Sequence, residues 1–86
     1  MNEIFVVEEA LRLIDERIST LPSFELYKTI KKQLEYLLSV LDGSCDDANN
    51  LEKIVVGHYA VHEFEETDPE LSNLLKKCQK IVFDRI

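Results

Sequence analysis

An all-α protein, an antiparallel bundle of about four helices, is the fold class that this 86-residue sequence predicts. Three observations lead there. Apolar residues recur at steps of three and four almost throughout, the spacing of one face of a helix. Sustained period-two alternation is missing, and no Asn-Gly or Asp-Gly pair joins two β-rich runs; Asp42-Gly43 follows a leucine-rich helical pattern instead. The breaks between apolar stripes are short and carry helix punctuation at Pro22, Gly43 and Asp68-Pro69. Amphipathic helices on short connections pack as antiparallel neighbours around one core. With no repeat, low-complexity tract or long linker, residues 1–86 read as a single domain.

Taken in order, Ile4, Val7, Leu11, Ile14, Ile18 and Leu21 form the first stripe, which Pro22 ends. Ser23 is placed to cap the second helix, whose stripe is Tyr27, Ile30, Leu34, Leu37 and Leu41. Gly43 fits just beyond that helix's C-terminus. The polar loop SCDDANN follows, and Leu51, Ile54, Val61 and Phe64 then share one face of a third helix. Gly57 lies in the middle of that helix at a cost of ~1 kcal/mol relative to Ala, which points to close approach of a sister helix. Leu71, Leu74, Leu75, Cys78, Ile81 and Val82 make the fourth stripe.

A chain of this length buries roughly 60 % of its unfolded surface, enough for one core but leaving little room for a deep cleft. Its net charge of −7 disfavours nucleic acid and anionic membranes as partners. Apolar runs such as IFVV are far too short to span a bilayer, and MNEIFVVEE lacks the features of a signal peptide. Cys45 and Cys78 show no metal-ligand spacing and read as reduced thiols, which places the protein in the cytoplasm.

The negative charge is concentrated. Residues 42–70 hold nine acids (Asp42, Asp46, Asp47, Glu52, Glu63, Glu65, Glu66, Asp68, Glu70) against Lys53 alone, and the remainder is nearly neutral. In HEFEETDPEL some of this charge is structural. Either Asp68 caps the fourth helix with Pro69 at its first position, or Thr67 is the cap and Glu70 closes a capping box. In both cases Asp68 and Glu70 meet the positive end of the helix dipole, worth roughly 0.3–1 kcal/mol each. Glu63, Glu65 and Glu66 fall instead in the last turn of the third helix, where the dipole favours bases, so a partner-facing role is the competing explanation. With Ile54 and Val61 inward, Glu52, Val56, Tyr59, Glu63 and Glu66 share the outward side. An outward Tyr and Val ringed by carboxylates suits a basic protein partner, unless that face packs on a neighbouring helix.

Catalytic chemistry finds little support. HYAVH carries Tyr59 where the zinc-peptidase HExxH motif needs Glu, although His58 and His62 remain half of a metal site. Cys78 sits in an apolar stripe and reads as a core residue. Two glycines supply no phosphate-cradling loop, so the chain reads as a non-enzyme without cofactor or metal.

The stretch GHYAVHEFEETDPELSNLL resembles the signature of a family of small helical bacterial immunity proteins that neutralise NAD(P)-hydrolysing toxins delivered by type VI secretion. The matching positions are Gly57, Ala60, Val61, Glu63, Phe64, Glu66, Thr67, Asp68, Pro69, Glu70, Leu71 and Ser72. KKQLEYLLSVL is similar to the family's second helix through Lys32, Gln33, Leu34, Tyr36, Ser39, Val40 and Leu41. The resemblance implies a cytosolic protein that binds a cognate toxin domain, one to one, and blocks its NAD(P) site without catalysing anything. Tyr59, His62, Glu63, Glu66 and Asp68 are the expected toxin contacts, with self-association through the same patch left open. A helical adaptor or chaperone for another basic protein is the alternative.

Overall fold

The computed structural model describes residues 2–45 and 47–86. Asp46, one of the acids counted above, lies outside them. Helix α1 (Glu3–Thr20) starts on Asn2, whose Oδ1 accepts the Ile4 N–H at 2.9 Å. It buries Val6, Val7, Ala10, Leu13 and Ile14, a wider stripe than expected because α1 packs against two neighbours at once. Leu21, the expected end of that stripe, follows the helix and is exposed.

Helix α2 (Glu25–Leu41) buries Tyr27, Ile30, Leu34 and Leu37 as their spacing predicts. Ser23 does not cap it. The helix begins one residue later, on Phe24, whose ring packs edge-on against Tyr27 at 4.8 Å. Apolar packing thus takes the place of a side-chain cap. At the far end Gly43 adopts φ +84°, the left-handed conformation expected just past a helix.

The third segment departs most from expectation. A short 3₁₀ turn, Leu51–Lys53, is followed by extended backbone at Ile54. Helix α3 (Val56–Tyr59) then runs into a π turn, Ala60–Phe64. The break falls in Ile54-Val55-Val56-Gly57, three β-branched residues and a glycine, which together disfavour helix. The helical phase therefore restarts at Val56, and the π turn shifts it again. Leu51, Ile54 and Phe64 are buried as expected, but Val56, expected outward, is fully buried, and Val61, expected inward, is 49 % exposed.

Helix α4 (Pro69–Phe83) caps on Asp68, which resolves the two capping alternatives in its favour, and Pro69 takes the first position. Its buried face carries two polar residues, Ser72 and Gln79, among Leu71, Leu75, Cys78, Ile81 and Val82. Burial pushes the Cys78 thiol up to about 12, so it packs as a neutral core residue. The helices alternate in direction around a ring. Asp15 of α1 pairs with Lys31 of α2 at 2.7 Å, and Arg17 and Glu3 of α1 pair with Asp68 and Arg85 at opposite ends of α4. Ser72 and Gln79 reach α3, and Phe64 stacks on Tyr27 of α2 at 5.8 Å to close the ring.

Two glutamines clamp the break. The Val55 N–H donates to Gln33 Oε1 at 2.8 Å. Gln79 accepts the Gly57 N–H at 3.0 Å and donates to the Ile54 carbonyl at 2.9 Å. A Cβ added at Gly57 would lie 2.7 Å from Gln79 Cγ, so the sister-helix approach inferred from the glycine is a side chain of α4. Gln79→Leu leaves two backbone groups without partners and is expected to lower stability by about 2–3 kcal/mol in urea denaturation, with little change in m value. Gly57→Ala should cost about 1–3 kcal/mol, and less when combined with Gln79→Ala, because both act at one contact.

Candidate functional site

The elbow between α3 and α4 takes its shape from the π turn. Beside it, the Ser72 Oγ donates to the Ala60 carbonyl at 3.1 Å, a bond buried between the two helices. Across this widened turn Ala60 and Phe64 face the core, while Val61, His62 and Glu63 face solvent. Thr67 Oγ1 then donates to the Glu63 carbonyl at 3.0 Å, satisfying one of the carbonyls left over at the helix end. The result is a shallow polar depression of about 300 Å³ lined by Val61, His62, Glu63, Glu65, Glu66 and Thr67.

Of the expected contact residues, the structure brings His62, Glu63 and Glu66 together on this depression. Tyr59 does not line it; half-buried, it packs against the core. The His62 ring lies tilted against that of His58, with ring centroids 4.2 Å apart, and both are exposed. Among the described residues no group of three or more His, Cys, Asp or Glu is placed to hold a metal ion.

Asp68 is engaged within the protein. Its carboxylate accepts from Arg17 Nε at 2.7 Å and Nη2 at 3.1 Å, and from the Leu71 N–H at 3.4 Å. The Arg17 hydrogen bonds, opposed by partial burial and aided by the Leu71 bond, hold its carboxyl below the usual range. Arg17 also reaches Glu70 at 3.5 Å, and Lys76 pairs with Glu65 at 3.0 Å. Sequence spacing could not show these pairs, because Arg17 lies 51 residues from Asp68. Among the described residues Glu63 and Glu66 have no ion-pair partner.

This sorts the residues that carry the family resemblance. Ala60, Phe64, Leu71 and Ser72 are buried, Gly57 admits Gln79, Thr67 closes the helix end, Asp68 and Pro69 start α4, and Glu70 pairs with Arg17. Val61, Glu63 and Glu66 remain, with side chains exposed and no part in holding the fold. Val61 was missed as a surface residue; the β-branched run before Gly57 was the available signal that the helical phase restarts.

Comparison with known proteins follows the same lines. The family model described as Tsi6 matches residues 2–84. "Immune protein Tsi6" of Pseudomonas aeruginosa (strain PAO1) is 41 % identical over 76 residues, covering 88 % of this chain and 81 % of that protein. The solved structure of Tsi6 from Pseudomonas aeruginosa superposes with a TM-score of 0.90 at 38 % identity, covering 95 % of each chain. A chain in the structure of Tse6 in complex with Tsi6 superposes with a TM-score of 0.93 at 36 % identity, covering 99 % of this chain and 90 % of that one.

The Arg17–Asp68 pair yields a pH prediction. Asp68 titrates lower in the folded than in the unfolded state, so its stabilisation is fully present above the unfolded value of about 4 and is lost as pH falls through the folded value. Urea midpoints of wild type and Asp68→Asn, measured from pH 7 down to pH 2, should therefore converge at the acid end. At neutral pH the variant should be weaker by about 1–2 kcal/mol, from the loss of the carboxylate charge that Arg17 pairs with, since Asn caps a helix about as well as Asp.

Proposed function

The chain belongs to the Tsi6 family of small helical immunity proteins, and from that membership we propose that it binds a cognate toxin domain and silences it without catalysing a reaction. What carries the reading is the relative of the same fold found in complex with Tse6. In finer terms, the toxin hydrolyses NAD(P)+ and is delivered by type VI secretion, and this protein protects the cytoplasm of the producing cell and its kin as a one-to-one inhibitor.

The physical case rests on the elbow. A pocket that holds a dinucleotide must accommodate its phosphates and is commonly basic. Glu63 and Glu66 present exposed carboxylates at the elbow that no base of this protein neutralises among the described residues. Such a surface is steered toward a basic pocket mouth, and once seated there it excludes the substrate. His62 lies in the same depression and adds an adaptable hydrogen-bonding group. Tyr59 and Asp68 contribute to this reading indirectly: Tyr59 packs against the core, and Asp68 with Arg17 fixes the start of α4.

The direct test is NAD(P)+ hydrolysis by the toxin domain encoded beside this chain's gene, titrated with the protein. Full inhibition near one equivalent is expected, and an active toxin untouched at excess would exclude the reading. Glu63→Lys combined with Glu66→Lys should slow association by about tenfold or more at low salt, with the difference shrinking as salt rises. Because both side chains are exposed, thermal stability should change little. Undiminished association of that variant would move the interface away from the elbow.

A further inference from the structure

Beside the elbow, between the chain break and the C-terminal half of α4, lies a groove of about 520 Å³. Its lining includes two exposed apolar residues, Val55 at 40 % and Phe83 at 65 % exposure, together with Ile54 and Gln79. The groove is largely apolar because most of its polar groups are already used. The Gln79 carboxamide is committed to the Ile54 carbonyl and the Gly57 N–H, and the Val55 N–H is bonded to Gln33. Its two lysines are paired as well, Lys76 with Glu65 and Lys80 with Asp84. Glu52 and His58 are the lining side chains left without a hydrogen-bond or ion-pair partner among the described residues, and the rest of the groove offers little to a polar or charged occupant.

The groove is continuous with the elbow. His58 on its wall contacts His62 of the acidic depression ring to ring, and Lys76 on its wall pairs with Glu65 in that depression. The area a stable complex requires also argues for a shared footprint. Each partner in a standard interface buries roughly 800 Å², which is about 15 % of this protein's 5213 Å². The six residues that line the elbow depression cannot supply that alone. Nor do they supply the apolar centre that interfaces place inside a charged rim, since Val61 is the one aliphatic residue among them.

We propose that the groove between Val55 and Phe83 receives an aliphatic or aromatic side chain of the toxin domain, as the apolar centre of the footprint whose acidic rim is Glu63 and Glu66. The proposal rests on the toxin-binding reading and divides its work. The rim governs how fast the complex forms, and the groove governs how long it lasts.

Binding kinetics on immobilised toxin domain from the adjacent gene separate the two. Val55→Ser combined with Phe83→Ser, and Val55→Lys alone, change only exposed side chains, and an unchanged urea midpoint verifies the fold. Each is expected to raise koff by at least about tenfold while kon stays within roughly twofold, the reverse of the pattern for Glu63→Lys with Glu66→Lys. Wild-type binding with koff unchanged in both groove variants overturns the groove and leaves the toxin reading intact. Absence of wild-type binding overturns both. A wild-type dimer that Phe83→Ser converts to monomer, with toxin koff unchanged, assigns the groove to a second copy of this chain and overturns the proposal.

Discussion

The two hydrogen bonds of the Gln79 carboxamide, to the Ile54 carbonyl and the Gly57 N–H, hold in place a segment with little reason to be helical alone. Nine residues from Val56 to Phe64 are fewer than an isolated helix needs in water, and they begin with two β-branched or flexible positions. A regular entry into this helix would leave its first N–H groups to solvent. Here side chains from two other helices satisfy two of them, Gln33 of α2 at the Val55 N–H and Gln79 of α4 at the Gly57 N–H. Gln79 can approach closely enough only because residue 57 has no Cβ. Seven residues earlier on the same face of α4, Ser72 performs the matching task at Ala60. Together they fix the break at one end of α3 and the π turn at the other.

Electrostatics then acts on a surface whose shape is already set. Nine acids in residues 42–70 suggest a broadly negative face, but packing redistributes that charge. Arg17 comes across from α1 to Asp68 and Glu70, and Lys76 reaches from α4 to Glu65. These pairs tie the elbow to the bundle. They also leave the uncompensated charge of the elbow on Glu63 and Glu66, a smaller and more sharply placed patch than composition alone implies.

The bundle itself was legible in the sequence because α1, α2 and α4 are long, and their apolar periods survive any error of one or two residues at the ends. Asp68-Pro69 and Gly43 punctuate helices by local chemistry, which a sequence displays directly. The third segment was not legible for the opposite reason. Its phase depends on where the chain breaks and on the extra residue of a π turn, and both are enforced by Gln79, Ser72 and Gln33 from other helices. A glutamine or serine within an apolar stripe looks like a surface residue until its backbone partner is known. Assigning Val56 outward and Val61 inward followed from counting through a break that the β-branched run before Gly57 signals and that tertiary contacts position. Asp68 illustrates the same limit: its capping role is local and readable, its pairing with Arg17 is not.

The stretch that carries the family resemblance is therefore mostly scaffold. Gly57, Ala60, Phe64, Thr67, Asp68, Pro69 and Ser72 serve to build one stiff turn, and only a few residues of that stretch face outward from it. A stiff turn suits an inhibitor. Ordering a loop at the moment of binding costs about 0.5–1.5 kcal/mol for each side chain immobilised, and a turn held in advance by buried hydrogen bonds avoids much of that cost. Hence a mutation at Ser72, which is buried and touches no partner in the proposed complex, should act on affinity through the orientation of Glu63 and Glu66 as well as on stability. Ser72→Ala separates these effects, because it removes one hydroxyl and leaves the core volume nearly unchanged. If the turn's geometry matters to recognition, the affinity lost for the toxin domain will exceed what the fraction of unfolded protein accounts for. A loss equal to that fraction would mean that the π turn serves only the fold.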